Sequence, residues 1–227
     1  MSVFYQSYGT SKAYTTPSLG AKHIQRFDAE IWVPARMQSG MRCLEIGCGT
    51  GHFLSYLQHK GITDFIGIDQ DATLQTVIPT AVREHFHAID VRAYLEKAQT
   101  EKPFDRIFMF DVFEHFVPED GHTLLTQICE LLAPGGSITL KMPNASSPWG
   151  LQFQHGDLTH LAAYTPGSIR QMAVACGMRC EDCYPHRLGS RARQRMDRMV
   201  QWVLNHMIAS PPEIWEGNFY ARLVQSS

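Results

Sequence analysis

The feature that most constrains the fold is a short run at residues 43–54, which reads CLEIGCGTGHFL. An apolar segment meets three glycines at alternate positions, Gly47, Gly49 and Gly51, and an amphipathic pattern then begins. Glycine permits backbone angles and close approaches that a Cβ atom forbids. A buried strand, a glycine turn and a helix start together predict a place where a ligand contacts the main chain.

From residue 42 onward, short apolar runs alternate with stretches of helical spacing. This alternation is typical of a mostly parallel sheet with helices on both faces. The predicted strands are 42–46, 64–68, 84–89, 105–110, 137–141, a strand from 178, and 218–224. The predicted helices are 52–60, 72–81, 91–98, 120–132 and 166–177. We expect Pro134, Gly135 and Gly136 to end a helix and turn the chain into the fifth strand.

The length of the chain predicts one domain. With 227 residues, 44% of them hydrophobic, the chain can bury one sizeable core. We therefore predict a single domain over 1–227, with an N-terminal cover at 1–36 that holds a helix near 23–32. A core at 37–186, a helical insertion at 187–216 and a last strand within 217–227 complete it. We expect the cover and the insertion to lie over the ligand crevice, at the carboxyl ends of the strands.

The charge and the apolar content exclude several kinds of protein. A formal net charge of -2 gives no overall attraction to nucleic acid or to a membrane surface. The first residues lack the apolar segment of a signal peptide, and no apolar run is long enough to span a bilayer. We therefore expect a soluble, cytoplasmic protein without a nucleic-acid partner.

Three of the six cysteines are spaced like zinc ligands. Cys176, Cys180 and Cys183 are followed by His186, and this spacing could hold zinc in principle. The segment around 178–184 reads as a strand, however, in which Cys180 and Cys183 would point to opposite faces. We therefore predict no metal at these cysteines.

Acidic residues follow the predicted strands and narrow the kind of ligand. A nicotinamide site would place a third glycine where this chain has His52. Asp69, Asp90 and Asp111 instead end the second, third and fourth strands, where carboxylates can accept hydrogen bonds from ribose hydroxyls or an adenine amino group. Capping of the following helices would explain any one of these acids but not the regular set.

Five motifs in order resemble the class I S-adenosylmethionine-dependent methyltransferases. They are LEIGCGTG at 44–51, GID at 67–69, the acid at 90, FDVFEH at 110–115 and LLAPGGSITL at 131–140. Within that class, the chain resembles the methyltransferase type 23 and ubiquinone-biosynthesis-like group and bacterial surface-polysaccharide methyltransferases. The resemblance implies a Rossmann-like α/β fold, with a seven-stranded mostly parallel sheet in the order 3-2-1-4-5-7-6 and helices on both faces. It also implies S-adenosylmethionine as the cofactor. The residues that it assigns to the cofactor are Glu45, Gly47, Cys48, Gly49, Gly51, Asp69, Gln70, Asp90, Val91 and Asp111.

His115 is the first candidate for a catalytic base. It follows the fourth strand, and imidazole titrates near neutrality, which suits removal of a hydroxyl proton. Asp111, Glu114 and His115 also resemble a cluster of the ubiquinone-biosynthesis O-methyltransferases that can hold a divalent metal. The alternative is a group of side chains that satisfy local amides at a helix start. We favour that alternative and predict no metal.

The connection after the fifth strand holds further candidates, His155, Asp157 and His160. Long loops in a compact domain usually serve function. Their spacing resembles bacterial methyltransferases of surface-polysaccharide biosynthesis, so we predict a catalytic set of His115, His160, Asp157 and His155. Asp157 would orient a histidine or a sugar hydroxyl. The alternative is that Thr159 and His160 only cap and pack the loop.

The leading predicted function is O-methylation of a sugar or glycan hydroxyl. Methylation of a small phenol or quinone is a second reading, and a non-catalytic scaffold that binds S-adenosylmethionine is a third. A complete set of polar residues around the glycine loop speaks against the scaffold.

The insertion combines positive charge with an apolar stripe. Arginines at 187, 191, 193, 195 and 198 lead into Met196, Met199, Val200, Val203, Leu204, Met207 and Ile208, and Trp202 flanks them. We expect a lid or dimer helix that buries this stripe against the core. The alternative is a surface that receives an anionic or lipid-linked substrate, with peripheral membrane contact.

Overall fold

A seven-stranded mixed sheet forms the centre of the part of the chain that the structure describes. In the computed structural model that part comprises residues 4, 13–98 and 102–226, so the N-terminal cover predicted over 1–36 lies partly outside the described residues. The strands are β1 (Cys43–Ile46), β2 (Phe65–Asp69), β3 (Phe86–Ala88), β4 (Phe104–Phe110), β5 (Leu132–Pro143), β6 (Met178–Pro185) and β7 (Asn218–Gln225). Their order is β3-β2-β1-β4-β5-β7-β6, as predicted.

The directions of the strands determine at which edge of the sheet a ligand crevice is expected. Each neighbouring pair from β3 to β5 is parallel, whereas β7 runs antiparallel to both β5 and β6. The carboxyl ends of β1 to β6 therefore meet at one edge of the sheet, where open α/β sheets bind ligands. The Rossmann-like fold is confirmed.

Helices cover both faces of the sheet. They are α1 (Ala21–Phe27), which continues as a π-helical segment (Asp28–Trp32), α2 (His52–His59), α3 (Val91–Ala98), α4 (Pro118–Glu130), α5 (Leu151–Gln154), α6 (Pro166–Ala175) and α7 (Arg191–Met207). Successive residues of a strand point to opposite faces. Ile107 and Met109 of β4 accordingly join the apolar cluster under α3, α4 and α6, and Phe108 joins the cluster under α1 and α2.

Two local predictions were wrong. The helix expected over 72–81 is two short 3₁₀ segments, Ala72–Thr76 and Thr80–His85. Pro79 separates them, because proline lacks an N–H donor and disfavours helical angles at the residue before it. The Pro134–Gly136 turn lies inside β5, which begins at Leu132, and the pairing with β4 shifts register there.

The expectation that Cys180 and Cys183 point to opposite faces was also wrong. The pairing of β6 with β7 shifts register between Cys180 and Asp182. An extra residue in one strand interrupts the alternation of side chains. The two sulfur atoms therefore lie 3.5 Å apart, as free thiols.

The apolar stripe of α7 is not buried against the core, contrary to expectation. No residue of α7 is buried, and Met196, Met199, Val200, Val203 and Met207 are exposed. None of the helices in the described part of the chain has the length and apolar content needed to cross a bilayer.

Candidate active site

A cleft of about 1750 Å³ opens at the carboxyl edge of the parallel strands. Its walls include Gly47 after β1, Asp69 at the end of β2 and Asp111 after β4. Phe27 and Ile31, from α1 and the π-helical segment, form part of another wall, so the described part of the N-terminal region does border the crevice. Pockets for one small ligand are usually about 300–1,000 Å³, so this cleft has room for a cofactor and an acceptor together.

The glycine loop presents main chain to the cleft at Gly49. The amides of Gly47 and Cys48 both donate to the Ile68 carbonyl, at 2.8 and 3.0 Å, and tie the loop to β2. A Cβ at Gly47 would lie 2.3 Å from Val112 Cγ2, so only glycine fits there. Gly49 has a φ of +51°, and the position of its Cβ has no protein atom within 4 Å. A ligand can therefore approach the backbone most closely at Gly49.

Gly51 serves the helix rather than the cleft. It is the N-cap of α2 with a φ of +74°, it is buried, and it does not line the cleft. The other residues predicted for the cofactor all line the cleft: Glu45, Gly47, Cys48, Gly49, Asp69, Gln70, Asp90, Val91 and Asp111.

The loop and β2 hold the Asp69 carboxylate in place. Asp69 Oδ2 accepts from the Gly49 amide and Oδ1 accepts from the Asp71 amide, both at 3.0 Å. Burial raises the pKa of Asp69, and the hydrogen bonds from the Asp71 and Gly49 amides oppose that shift. The remaining acceptor positions on this carboxylate suit the two hydroxyls of a ribose.

Glu45 is a buried acid without a complete set of partners. Its Oε2 atom has no hydrogen-bond partner among the described residues. Burial and the nearby Asp69 raise the pKa of Glu45 well above its usual value. A cationic ligand would stabilise the ionised form of such a group. The amino acid end and the sulfonium of S-adenosylmethionine both carry positive charge, so this part of the cleft fits that cofactor.

Asp90 and Asp111 have local partners as well as a place in the cleft wall. Asp90 Oδ1 accepts from the Arg92 amide at 2.9 Å and caps α3, as the alternative reading of the acids predicts. Asp111 has a φ of +56° and forms an ion pair with Lys141. A residue other than glycine in this backbone region is strained, and such strain is often found at functional sites.

His115 and His160 lie together at one wall of the cleft. Their rings are 4.7 Å apart in a T-shaped arrangement, and His115 lines the cleft. His115 Nδ1 donates to the Thr159 carbonyl at 3.1 Å, and His160 Nδ1 donates to the Gln154 carbonyl at 3.0 Å. The His115 ring also hydrogen-bonds to the backbone of Asp111, so the segments on both sides of it hold the ring. Burial lowers the pKa of His115, which keeps the ring neutral at pH 7.

Glu114 completes a cluster with these histidines. Its side chain is 1% exposed, and neither carboxylate oxygen has a hydrogen bond among the described residues. His160 Nε2 lies 3.8 Å from Glu114 Oε1. Burial, and then the charge of Asp111, raise the pKa of Glu114 to about 8. The ligand atoms of Glu114, His115 and His160 lie within 4.8 Å of one another, so these residues could hold a divalent ion.

The other two residues of the predicted catalytic set do not line the cleft. Asp157 Oδ1 accepts from the Thr159 amide at 3.0 Å and from the Thr159 hydroxyl, and closes a turn. His155 is exposed at the end of α5 and is not among the residues that line the cleft. The catalytic roles of Asp157 and His155 stay predictions.

Sequence reasoning missed a second polar group in the cleft wall, formed by Glu30, His186 and Tyr220. Glu30 Oε2 accepts from His186 Nδ1 at 2.8 Å and from the Tyr220 hydroxyl at 3.2 Å. His186 and Tyr220 line the cleft. These residues are too far apart in the chain for a spacing motif. The sequence signal for this group was Glu30, an acidic residue next to Ile31 in the helix that was predicted to cover the crevice.

The comparisons with known proteins agree with this geometry. The family model of the methyltransferase domain matches residues 21–181. A curated relative, the cyclopropane-fatty-acyl-phospholipid synthase of Escherichia coli K12, is 28% identical over 106 residues. The match covers 46% of this chain and 27% of the relative, so the chain spans about a quarter of that protein.

Solved structures share the fold over nearly all of the chain. A SAM-dependent methyltransferase from Archaeoglobus fulgidus is 19% identical with a TM-score of 0.68, and the match covers 97% of this chain and 99% of that one. Magnesium protoporphyrin IX methyltransferase from Synechocystis PCC 6803, with bound S-adenosylhomocysteine, is 14% identical with a TM-score of 0.62, covering 98% and 97%. The chain belongs to the methyltransferase-domain family.

Proposed function

We propose that the protein transfers a methyl group to a hydroxyl of a sugar or glycan. The observation that carries this proposal is a neutral histidine, His115, in the wall of the cofactor cleft. A sugar hydroxyl is a weak nucleophile, and its proton must leave as it reacts. His115 is the base in this proposal. His160 and Glu114 lie next to it in the same cluster.

S-adenosylmethionine supplies a methyl group on a positively charged sulfur, which an oxygen nucleophile can attack in line. The chain must then align the acceptor, exclude water and accept one proton. Phe27, Ile31 and Phe110 give the cleft an apolar wall that can exclude water. The imidazole of His115 is the group that accepts the hydroxyl proton.

The polar part of the wall supports a polyhydroxyl acceptor over a phenol or quinone. Lys141, His186 and Tyr220 line the cleft and offer both hydrogen-bond donors and acceptors. A flat aromatic acceptor would use few of these groups. The similarity of His155, Asp157 and His160 to surface-polysaccharide methyltransferases supports the same class of acceptor.

A screen for S-adenosylhomocysteine release tests the proposal. Sugar nucleotides, oligosaccharides and catechols serve as acceptors with the full-length protein. Release with a sugar acceptor only is the expected result, and release with catechols only would overturn it. Binding of S-adenosylmethionine without release with any acceptor would favour the non-catalytic scaffold.

Substitution of the base tests the mechanism. His115→Ala should lower turnover by roughly 10²–10⁴ and leave the affinity for S-adenosylmethionine nearly unchanged. His59→Ala, at an exposed position at the end of α2, is the matched control. Near-normal turnover in both His115→Ala and His160→Ala would show that alignment alone drives the reaction.

A further inference from the structure

The insertion helix α7 lies at the edge of the sheet where the cleft opens. The strand β6 is antiparallel to β7, and β7 is antiparallel to β5, so β6 ends at the same edge as β5. α7 follows the end of β6 and precedes the start of β7. The segment after α7 is held at that edge by Asn144, whose side chain donates to the carbonyls of Ile214 and Glu216.

The side of α7 that is richer in polar residues is its less exposed side. Its least exposed residues are Gln194, Asp197, Gln201 and Leu204, which recur at helical spacing. Near the end of the helix, Asn205 Oδ1 accepts from Trp215 Nε1 at 2.8 Å. The apolar residues lie on the other side of the helix because one turn takes 3.6 residues. An amphipathic helix of a globular protein normally has the opposite orientation.

The outward side is a continuous apolar stripe. It consists of Met196, Met199, Val200, Val203 and Met207. Met199 is 62% exposed and Met207 is 76% exposed. Large contiguous apolar patches are rare on free surfaces and mark contacts with a protein or a membrane. The exposed stripe therefore indicates that this side of α7 contacts a binding partner or a membrane.

Charge beside the stripe identifies that occupant. Arg193 borders the stripe on one side and Arg195 on the other, and Arg191 and Arg198 lie on the remaining surface of the helix. Trp202, 63% exposed, lies close to Arg195 around the helix. Arginine beside apolar residues and a tryptophan is the composition of helices that lie in the headgroup region of a bilayer. Arg193 also pairs with Asp197, at 3.1 Å, which leaves the other three arginines without an acidic neighbour of their own on the helix.

We propose that α7 docks the protein on a bilayer that contains anionic lipid. The methionine and valine stripe enters the boundary between headgroups and acyl chains, and the arginines contact lipid phosphates. A second copy of the chain fits less well, because a symmetric pair would bring two arginine-rich flanks together. Leu158 and Leu161, exposed at the mouth of the cleft, lie at the same edge of the sheet as α7.

Vesicle co-sedimentation of the full-length protein tests this proposal without using turnover. Vesicles of phosphatidylcholine with phosphatidylglycerol should bind the protein, and vesicles of phosphatidylcholine alone should bind it far less. High salt should weaken the binding, because it screens the arginines. Arg195→Gln should weaken it about fivefold, since one basic residue near an anionic surface contributes about 1 kcal/mol.

The matched pair Val200→Glu and Val174→Glu separates docking from a general effect of charge. Both valines are exposed, at 51% and 73%. Val174 lies near the end of α6 and just before β6, at the opposite edge of the sheet. Val200→Glu should lower vesicle binding about tenfold or more, and Val174→Glu should leave it unchanged. Equal affinity of both variants for S-adenosylmethionine, measured by calorimetry, confirms that they are folded.

Three results would overturn the proposal. One is the absence of binding to the anionic vesicles, and another is equal binding by Val200→Glu and the unaltered protein. The third is a dimer in analytical ultracentrifugation that Val200→Glu disperses, with no vesicle binding. That result would assign the stripe to a second copy of the chain.

Discussion

Asp69 joins the glycine loop to the end of β2 through its bonds from Gly49 and Asp71. Asp69→Ala removes a carboxylate that can accept from ribose hydroxyls. We expect the affinity for S-adenosylmethionine to fall by about 1.5–3 kcal/mol, because hydrogen bonds to a charged group are among the stronger ones. Titration calorimetry measures the change, with Asp182→Ala at an exposed position of β6 as control. Unchanged affinity would remove Asp69 from the site.

A substitution at Gly49 tests whether the glycine loop binds the cofactor, and Gly135 offers a closely matched control. Gly49→Val should abolish cofactor binding, because the new side chain would fill space in the cleft. Gly135 also has a positive φ with no protein atom near its Cβ position, but it is exposed in the β4–β5 region and away from the cleft. Gly135→Val therefore adds similar backbone strain and should bind the cofactor normally. Normal binding by Gly49→Val would mean that the loop contacts another ligand.

The pH dependence of turnover reports on His115. Its pKa lies below the ordinary value near 6.5, and only the neutral ring accepts a proton. Turnover should therefore fall only below about pH 6.5 and be level just above it. A second, smaller rise is expected near pH 8, where Glu114 loses its proton and makes the neighbouring histidines more basic. Glu114→Gln should remove this rise, and a profile without either step would contradict the base assignment.

The cluster of Glu114, His115 and His160 comes from two elements, a 3₁₀ turn after β4 and the connection after α5. We expect turnover to persist in a chelator, because His115 can accept the proton without a metal. Turnover after dialysis against chelator, with and without added Mg²⁺, is the measurement. Loss of activity that Mg²⁺ restores would show that these three side chains are ligands.

Sequence patterns predicted the elements around the cofactor because these elements are local. A strand, a glycine turn and a helix form one continuous segment, and the acids after β2, β3 and β4 follow their own strands. The bulge in β6 could not be predicted in the same way. It depends on the pairing with the strand β7. Because of it, the side chains of Cys180 and Cys183 lie together instead of on opposite faces.

Contacts between distant residues were the part of the site that the sequence could not predict. Glu30 meets His186 and Tyr220 only because β6 and β7 return to the edge that the N-terminal region covers. The sequence pattern also could not predict which side of α7 is exposed. An amphipathic stripe shows that a helix has an apolar side but does not show what that side contacts.

For the whole molecule, Glu30 links the N-terminal region to the far end of the sheet. Glu30→Gln weakens the bond to His186 and leaves buried polar groups poorly partnered. We expect the free energy of unfolding to fall by about 1–3 kcal/mol. Urea denaturation measures this change, with Glu84→Gln at an exposed position as control. Equal stability of the two variants would show that the buried group contributes little.

The register of β6 and β7 has a consequence for how the chain can vary. Pro185 pairs with Phe219, so the two ends of the excursion that carries α7 are already neighbours in the sheet. Antiparallel neighbours can be joined by a tight hairpin, and a longer loop between fixed ends adds little entropic cost. The catalytic scaffold therefore does not need α7 for its connectivity. The excursion can therefore change in length around α7 while the sheet stays the same, provided that Ile214 and Trp215, which are buried, keep their places.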